Sequence, residues 1–372
     1  MIDTICLLIP KNKMLYLSGI SSWELYSKTD QYAKYVRNPS KAEKETGKYF
    51  PRLTGYKRRF SKDANVRIEF SAPKLLYLNN LDELEENNFT ELIEILQTRL
   101  KTMGIIATTS ILENASVSSV HFSKNILLQD GYTADYLISE MNKVNICKSF
   151  DLARARFINN GQSLYAHTTS HQLVIYDKMA DLEKDKKRAI DKDQTIYQRN
   201  LFTELNKKND LQEIIRFEVR LNHKQKLNKL LEDLNYQKNP TFKQIFNNEM
   251  SKKIVTNYWE KIIKELNLGL FSISLSVKDI LQILFLADKK IKSKQAIYLL
   301  GLFMLAKDEN GIRQLRAIVS KRTHDRTWYR ITKDLQQASK LITQNRLRDW
   351  VTQIDKSLEN YKPYKIKKYD KN

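Results

Sequence analysis

The sequence predicts an α+β protein in which an antiparallel sheet region precedes an all-helical region. Segments rich in β-branched and aromatic residues, which favour strands, are concentrated in residues 1–237. After residue 238, strand signals nearly vanish, and apolar residues recur at helical spacing. Because 372 residues exceed what one core usually holds, two domains are expected. We therefore expect domains over residues 1–237 and 238–360, followed by a basic tail over residues 361–372.

The first part of the chain contains several strand signals. The apolar stretch Ile2–Ile9 and the segment Met14–Ser18 are expected to pair as a hairpin. The polar, basic segment Gln31–Lys48 is interpreted as a loop or a short exposed helix. Gly55–Phe60 and Val66–Phe70 are predicted to form two adjacent strands.

Strands and helices then alternate up to residue 237. Phe89–Met103 is predicted to be an amphipathic helix, because its leucines and isoleucine recur at three- and four-residue spacing. The other predicted elements are the strand Val117–Phe122, a helix from Thr133 to Lys143, the hairpin strands Phe150–Ile158 and Ser163 onward, the strand Gln172–Tyr176, charged helices over Glu183–Lys208, the strand Glu213–Leu221 and a helix from His223 to about Leu234.

The second half is predicted to be helical throughout. The predicted helices cover Thr241–Leu266, Ser276–Lys289, Ser293–Ala306, Gly311–Ser320, Asp325–Lys340 and Gln344–Tyr361. The tail carries five lysines and one acidic residue, and we expect it to be mobile until it meets a partner.

The charge balance indicates a polyanionic partner. The chain has 64 Lys and Arg against 43 Asp and Glu, a formal net charge of +21, and nucleic acid is the first candidate for such an excess. No segment approaches the roughly 20 apolar residues of a membrane span, so no membrane partner is expected. Cys6 and Cys147 have no metal-finger spacing, which favours buried thiols in a reducing, cytoplasmic compartment.

One stretch, from Tyr165 to Lys178, contains two of the five histidines and ends in a strand followed by a charged run. Tyr176 stands at the end of that strand, with Lys178 two positions further on. A phenol there is either a positioned nucleophile or an ordinary strand-end hydroxyl that reaches water. Both interpretations stay open on this stretch alone.

Polar groups alternate with apolar ones on two other predicted strands. Residues i and i+2 share a strand face, so Arg216, Glu218 and Arg220 point the same way. A carboxylate between two arginines is suited either to ion pairing or to holding a divalent metal. His121, on an otherwise apolar strand, is either a metal ligand or a core histidine. Glu69 follows Arg67 in the same basic–apolar–acidic pattern and is a further candidate metal ligand.

In the helical half, the stretch 311–330 is rich in basic and aromatic residues. Two helices joined near residues 321–324 fit a helix-turn-helix, whose second helix enters a major groove. The alternative is a basic, solvated helix pair. The candidate DNA-binding residues are Arg313, Arg316, Lys321, Arg322, Arg326, Trp328, Tyr329, Arg330 and Lys333.

Four motifs follow one another along the chain, namely Arg67–Leu75, Val117–Ser123, Ser163–Lys178 and Ile215–Leu221. In this order they resemble the replication initiators of the gene II/X family of filamentous phages and related plasmids. The chain is similar, more distantly, to the Rep_trans rolling-circle plasmid initiators, and the resemblance extends over most of residues 1–235. It implies an HUH-like endonuclease that nicks one DNA strand at an origin and becomes joined to the 5′ phosphate through a tyrosine.

On this resemblance, Tyr176 is the nucleophile, and His121 and Glu218 hold a divalent metal, Mg²⁺ or Mn²⁺. Lys178, Arg216 and Arg220 offset the developing negative charge. The chain departs from the family where the His-hydrophobic-His signature is reduced to His121-Phe-Ser123. A third ligand is therefore missing from the pattern. Its candidates are Glu69, Asp151 and His171, and Tyr165 is a rival nucleophile.

The expected function is initiation of rolling-circle replication by nicking and rejoining an origin strand. The expected partners are single-stranded or hairpin origin DNA and the host helicase and polymerase, and the oligomeric state stays open, a homodimer included. The alternative is a non-catalytic basic DNA-binding protein, such as a replication regulator or a strand-binding factor. A third idea is RNA binding, because charge alone does not separate DNA from RNA.

Overall fold

The computed structural model describes residues 1–17, 23–29, 32–58, 64–142, 154–158, 162–187, 196–207, 212–265, 276–308, 311–322, 324–342 and 349–366. The chain divides into two compact units. The first comprises Met1–Leu127, Thr169–Val255 and the residues from Tyr361, and the second comprises Leu128–Thr168 and Thr256–Asn360. This division differs from the expected boundary at residue 237. Residues 128–168 group with the later helices, and residues 238–255 group with the first unit.

The structure has a mixed α and β composition. The strands are β1 Ile2–Pro10, β2 Leu15–Tyr16, β3 Glu24–Lys28, β4 Tyr32–Arg37, β5 Arg52–Arg58, β6 Asn65–Ser71, β7 Ile105–Ile106, β8 Ser116–Leu127, β9 Arg154–Ile158, β10 Ser163–His167, β11 His171–Asp177 and β12 Ile214–Leu221. The helices are α1 Lys41–Glu45, α2 Ala72–Tyr77, α3 Phe89–Thr102, α4 Thr109–Glu113, α5 Ala134–Asn142, α6 Lys178–Lys187, α7 Ile196–Lys207, α8 Lys224–Asp233, α9 Phe242–Ile245, α10 Asn248–Glu265, α11 Val277–Ala287, α12 Ser293–Lys307, α13 Gly311–Ser320, α14 Asp325–Ile342 and α15 Asp349–Asn360.

Eight strands of the first unit form a continuous antiparallel arrangement. Their order is β3-β4-β5-β6-β1-β8-β12-β11, and each neighbouring pair is antiparallel. In β12, the apolar residues Ile215, Phe217 and Val219 are buried in the core and alternate with charged residues. Successive side chains of a strand point to opposite faces, so the charges of β12 lie together on the other face.

The N-terminal region differs from the sequence prediction in two places. Leu15–Tyr16 pairs with Ile105–Ile106 and not with β1, so the predicted hairpin is wrong. Tyr32–Arg37 is a strand between β3 and β5, where the sequence suggested a loop or a short helix. The segment carries two basic side chains among its six residues, but both of its edges pair with neighbouring strands. The polar composition of this segment therefore concealed a strand whose formation depends on pairing.

The first six tail residues, Tyr361–Ile366, are docked on the first unit, which corrects the expectation of a mobile tail there. The Glu83 amide donates to the Tyr364 carbonyl at 2.9 Å, and the Tyr364 amide donates to Glu83 Oε2 at 2.8 Å. Tyr361 is buried, and Tyr364 and Ile366 pack against a core cluster around Leu182 and Leu201. Apolar residues between the lysines therefore anchor this segment.

The second unit has a helical part and the β9–β10 hairpin, so it is not purely helical. The rings of Trp259 and Trp350 pack edge-on, with centroids 6.5 Å apart. The Trp259 indole donates to Asp355 Oδ1 at 2.6 Å. In the described part of the chain, no helix has the length and hydropathy that crossing a membrane requires.

Candidate functional site

The central strands of the first unit bring the predicted site residues of β8 and β12 onto one face. Glu218 lies directly opposite Ser123, and Arg220 lies opposite His121. Arg216 occupies the position opposite Asn125 on β8 and opposite Tyr176 on β11. Residues that face each other on adjacent antiparallel strands share a face, with Cβ atoms about 5 Å apart.

Three side chains of this face form a group that is suited to holding a metal ion. They are Asp3, His121 and Glu218, and each offers a ligand atom within 4.8 Å of the other two. The two carboxylates are buried, while His121 is partly exposed and leaves the group accessible from one side. Asp3 comes from β1, where the pairing with β8 shifts register between Ile2 and Ile5.

Both ring nitrogens of His121 have a side-chain neighbour. Its Nε2 lies 3.3 Å from Asn222 Oδ1, and its Nδ1 lies 3.5 Å from Glu218 Oε1. If Nε2 carries the proton and donates it to Asn222, the lone pair of Nδ1 faces a carboxylate oxygen. One imidazole nitrogen and two carboxylates form a donor set that suits Mn²⁺ well and Mg²⁺ acceptably.

Both carboxylates of the group are also paired with arginines. Arg220 donates to both oxygens of Glu218, at 3.0 and 3.1 Å, and Arg216 Nη2 donates to Asp3 Oδ1 at 2.6 Å. Burial by itself would raise the pKa of Glu218. The charges of Arg220 and Arg216 and the contact with His121 outweigh burial and hold this pKa well below its usual range.

Arg216 is the most connected side chain of the face. It is 2% exposed, and besides Asp3 it donates to Ser123 Oγ at 2.9 Å and to the Asn80 carbonyl at 2.6 Å. Its buried Nε has no hydrogen-bond partner among the described residues. Burial would lower its pKa, but the surrounding oxygens, with Tyr176 and Asp3 foremost, raise it above the usual value. The guanidinium is therefore a permanent positive charge inside the sheet face.

Tyr176 lies on the same sheet face, directly opposite Arg216 on the neighbouring strand. Burial raises the pKa of Tyr176 well above its usual value, the charge of Glu218 adds to the rise, and the charge of Arg216 opposes it. Lys178 places its ammonium 5.6 Å from the centroid of the Tyr176 ring. That ammonium is fully buried and donates to Asn80 Oδ1 at 2.9 Å and Asp181 Oδ2 at 3.0 Å. It is thus a fixed charge beside the phenol ring.

The other candidate ligands lie outside this group. Glu69 is on β6, which β1 separates from β8, and its oxygens pair with Arg52 at 3.2 Å and Arg67 at 3.3 Å. Asp3 therefore takes the place that the sequence analysis gave to Glu69. His171 is buried on the face of β11 opposite to that of Tyr176, because the two residues are an odd number of positions apart. Asp151 lies outside the described residues.

The rival nucleophile Tyr165 belongs to β10 of the second unit. Its ring lies 5.1 Å from the ring of His167, centroid to centroid. Tyr165 therefore belongs to the second unit, whereas the site residues of β8 and β12 belong to the first.

The candidate DNA-binding residues lie on α13, on α14 and between them. All are exposed except Trp328, whose predicted contact with DNA is wrong because it is buried. Trp328 shares one side of α14 with the buried residues Leu335 and Ile342, at seven-residue spacing, and so belongs to the core of the second unit. The exposed residues are Arg313, Arg316, Lys321, Arg322, Arg326, Tyr329, Arg330 and Lys333.

Comparisons with known proteins do not add a family assignment. A scan against protein-family models and searches of curated proteins and of solved structures found no match to this chain.

The depressed pKa of Glu218 predicts a specific loss of stability in acid. A carboxylate whose folded pKa lies below its unfolded value of about 4.3 stabilises the fold above that value, and the contribution is lost as the pH falls toward the folded pKa. We expect the free energy of unfolding to decrease as the pH is lowered below about 5. In Glu218→Gln, the slope of the free energy against pH should correspond to about one proton fewer. Urea unfolding at a series of pH values measures both. An unchanged slope in the variant would contradict the assignment.

Proposed function

We propose that this protein nicks and rejoins a single strand of DNA through a covalent bond to Tyr176, with a divalent cation held by Asp3, His121 and Glu218. The observation that carries the proposal is the shared sheet face. The three-residue group and Tyr176 lie on neighbouring strands of that face, on either side of the charge of Arg216. A nucleophile, a ligand set for a metal and fixed cations are the components that cleavage of a phosphodiester requires.

The residues of the chain would have defined roles in this reaction. The phenol oxygen of Tyr176 forms a bond to phosphorus as the bond from phosphorus to the 3′ oxygen breaks, and the phenolic proton is lost while the 3′ oxygen gains one. A metal ion bound at the three-residue group would supply Lewis-acid stabilisation of the scissile phosphate. Attack by a 3′ hydroxyl on the phosphotyrosine reverses the step and rejoins the strand without loss of the bond energy.

Arg216 and Lys178 would supply positive charge to the reaction. The Arg216 guanidinium and the Lys178 ammonium are both buried and held by hydrogen bonds, so they are oriented before any substrate arrives. Preorganised cations in a site shielded from water stabilise negative charge that develops in a transition state. The charge of Arg216 also favours the phenolate form of Tyr176, whose pKa burial raises.

The sequence motifs support the same proposal. The segments on β6, β8, β11 and β12 resemble, in order, those of the gene II/X initiators, which are relatives of the HUH endonucleases. On this proposal the sheet is an HUH-like nicking domain that initiates rolling-circle replication at an origin. The exposed basic residues of α13 and α14 would contact the DNA backbone, as the net charge of +21 favours.

One specific observation favours a second function, a non-catalytic DNA-binding protein. Arg216 and Arg220 already neutralise both buried carboxylates of the group, so ion pairing accounts for the cluster without a metal. In that case the polar face is structural, and the basic surface alone binds DNA. The two functions differ in whether a divalent cation binds at the group.

A pool of single-stranded oligonucleotides of random sequence, labelled at the 3′ end, tests the proposal. Nicking transfers the labelled fragment to the protein, so a labelled band that survives denaturing electrophoresis is expected with Mg²⁺ or Mn²⁺ and not with EDTA. Asp3→Asn and Glu218→Gln should abolish the band and weaken Mn²⁺ binding in calorimetry by about 10- to 100-fold or more. Glu69→Gln is the matched control, because Glu69 is also paired with arginines but lies outside the group.

Two outcomes would favour the non-catalytic function. The first is no labelled band with any divalent metal, together with tight and strongly salt-dependent binding of the oligonucleotides. The second is equal Mn²⁺ binding by wild type and both group variants.

A further inference from the structure

A second feature of the first unit lies at the ends of β1, β5 and β6. It is a cavity of about 620 Å³ lined by four aromatic side chains and by two lysines. The aromatic residues are Tyr16, Trp23, Tyr35 and Tyr56. None of these residues belongs to the metal-binding group or to the sequence motifs, and the proposed reaction makes no use of them.

The aromatic walls have ring faces that remain accessible. The six-membered ring of Trp23 covers Gly55, 3.5 Å from where a Cβ would stand, and Tyr35 is directly opposite Gly55 on β4. Trp23, Tyr35 and Tyr56 are only partly buried despite their size. A side chain larger than glycine at position 55 would contact the indole of Trp23. The walls can therefore accept a further flat ring by stacking.

The charges around the cavity favour an anion. Lys11 and Lys57 are exposed at its edge, and the Lys11 ammonium lies 5.4 Å from the centroid of the Tyr16 ring. Among its described lining residues, none is acidic. A ligand that combines a flat ring with negative charge would therefore match the rings and the lysines.

Tyr16 supplies a polar group to the cavity. Its hydroxyl is buried, and none of the described residues forms a hydrogen bond with it. Burial raises its pKa to about 12, so it stays a neutral donor and acceptor at physiological pH. A second cavity, of about 670 Å³, adjoins the first and shares Lys11 and Tyr16 with it, so the accessible space continues along the turn after β1.

We propose that this aromatic cavity binds an unpaired base of single-stranded DNA, with Lys11 and Lys57 on the flanking phosphates. Stacking of bases on aromatic rings, combined with lysines along the backbone, is the usual means of binding single strands without regard to sequence. The inference depends on the proposed function only for the choice of DNA as the polynucleotide. It requires neither cleavage nor a metal, and it assigns a positioning role to a region remote in sequence from Tyr176.

The test measures binding of labelled decathymidylate and of a fully abasic deoxyribose-phosphate chain of the same length by fluorescence anisotropy, in EDTA. The wild type should prefer the oligonucleotide with bases. Trp23→Leu should weaken binding of decathymidylate by roughly 5- to 100-fold and reduce that preference, while the abasic chain is affected little. Lys57→Gln should weaken both ligands by a similar factor. Tyr26→Leu is the matched control, because Tyr26 is an exposed aromatic residue outside the cavity.

An unchanged preference in Trp23→Leu would overturn the inference, and so would equal binding of both ligands by the wild type. If Trp23→Leu does not fold, as judged by circular dichroism, Tyr35→Leu replaces it with the same expected loss of preference. EDTA separates this inference from the proposed nicking. Loss of the covalent adduct with an intact base preference rejects only the nicking, and the reverse result rejects only the cavity.

Discussion

Tyr176→Phe is expected to abolish the covalent protein–DNA adduct and to leave oligonucleotide binding nearly unchanged. The substitution removes one oxygen and keeps the ring, so the packing of β11 against β12 is preserved. Removing a nucleophile that has no substitute in its site commonly lowers the rate by about 10⁴-fold or more. Quantitative gel analysis of the labelled adduct measures the loss, and fluorescence anisotropy measures the binding.

Tyr165→Phe is the control for this prediction. Tyr165 lies in the same sequence stretch but on β10 of the second unit, so its loss should leave the yield of adduct at the wild-type level. Adduct formation by Tyr176→Phe together with its loss in Tyr165→Phe would reverse the assignment of the nucleophile.

Arg216→Met is expected to produce the largest loss of folding stability among the site variants. Methionine preserves the apolar stem, but it leaves Asp3 buried without its 2.6 Å ion pair and leaves the Asn80 carbonyl without its donor. Removing one partner of a buried charge pair costs about 3–5 kcal/mol. Urea unfolding monitored by circular dichroism should show this decrease in the free energy of unfolding.

Two further variants separate the buried charge from the loss of packing. Arg52→Met breaks a half-exposed pair with Glu69 and should cost about 1 kcal/mol or less. Adding Asp3→Asn to Arg216→Met removes the unpaired charge, so the double variant should be more stable than the sum of the single effects predicts. Strict additivity would show that Asp3 and Arg216 do not interact energetically.

The charged face of β12 could be predicted because its information is local. Arg216, Glu218 and Arg220 alternate with apolar residues, and this period of two predicts both the strand and the shared face. His121 was predicted on a strand from the same alternation and Tyr176 from β-branched and aromatic content, and the structure places both on the strands next to β12. The α+β composition and most of the helices followed from periodicity in the same way.

Asp3 could not be predicted as part of the site because its position depends on the order of strands. Nothing between residues 2 and 9 indicates that β1 lies next to β8, which is more than 100 residues later in the chain. The one signal was a carboxylate inside an otherwise apolar strand, where an unpaired charge is costly and implies a partner. Glu69 was chosen instead because its flanking sequence resembles that of Glu218.

Trp328 shows the opposite case, in which the signal was present and was outweighed by composition. Its spacing from Leu335 and Ile342 marks the apolar stripe of α14, while the arginines around it suggested a DNA contact. The edge strand β3 and its neighbour β4 were missed because they gain their stability from pairing with each other and with β5, which no local pattern reports.

Mass spectrometry can locate the residue to which the DNA is attached, and so tests whether Tyr176 is the nucleophile. Trypsin releases Tyr176 within the peptide 157–178, which also contains Tyr165. After nuclease trimming of the adduct, the fragment ions of this peptide should place the nucleotide on Tyr176, and the modified peptide should be absent from reactions of Glu218→Gln. Attachment at Tyr165 or at any other residue, or an adduct that forms equally well in EDTA, would contradict the account.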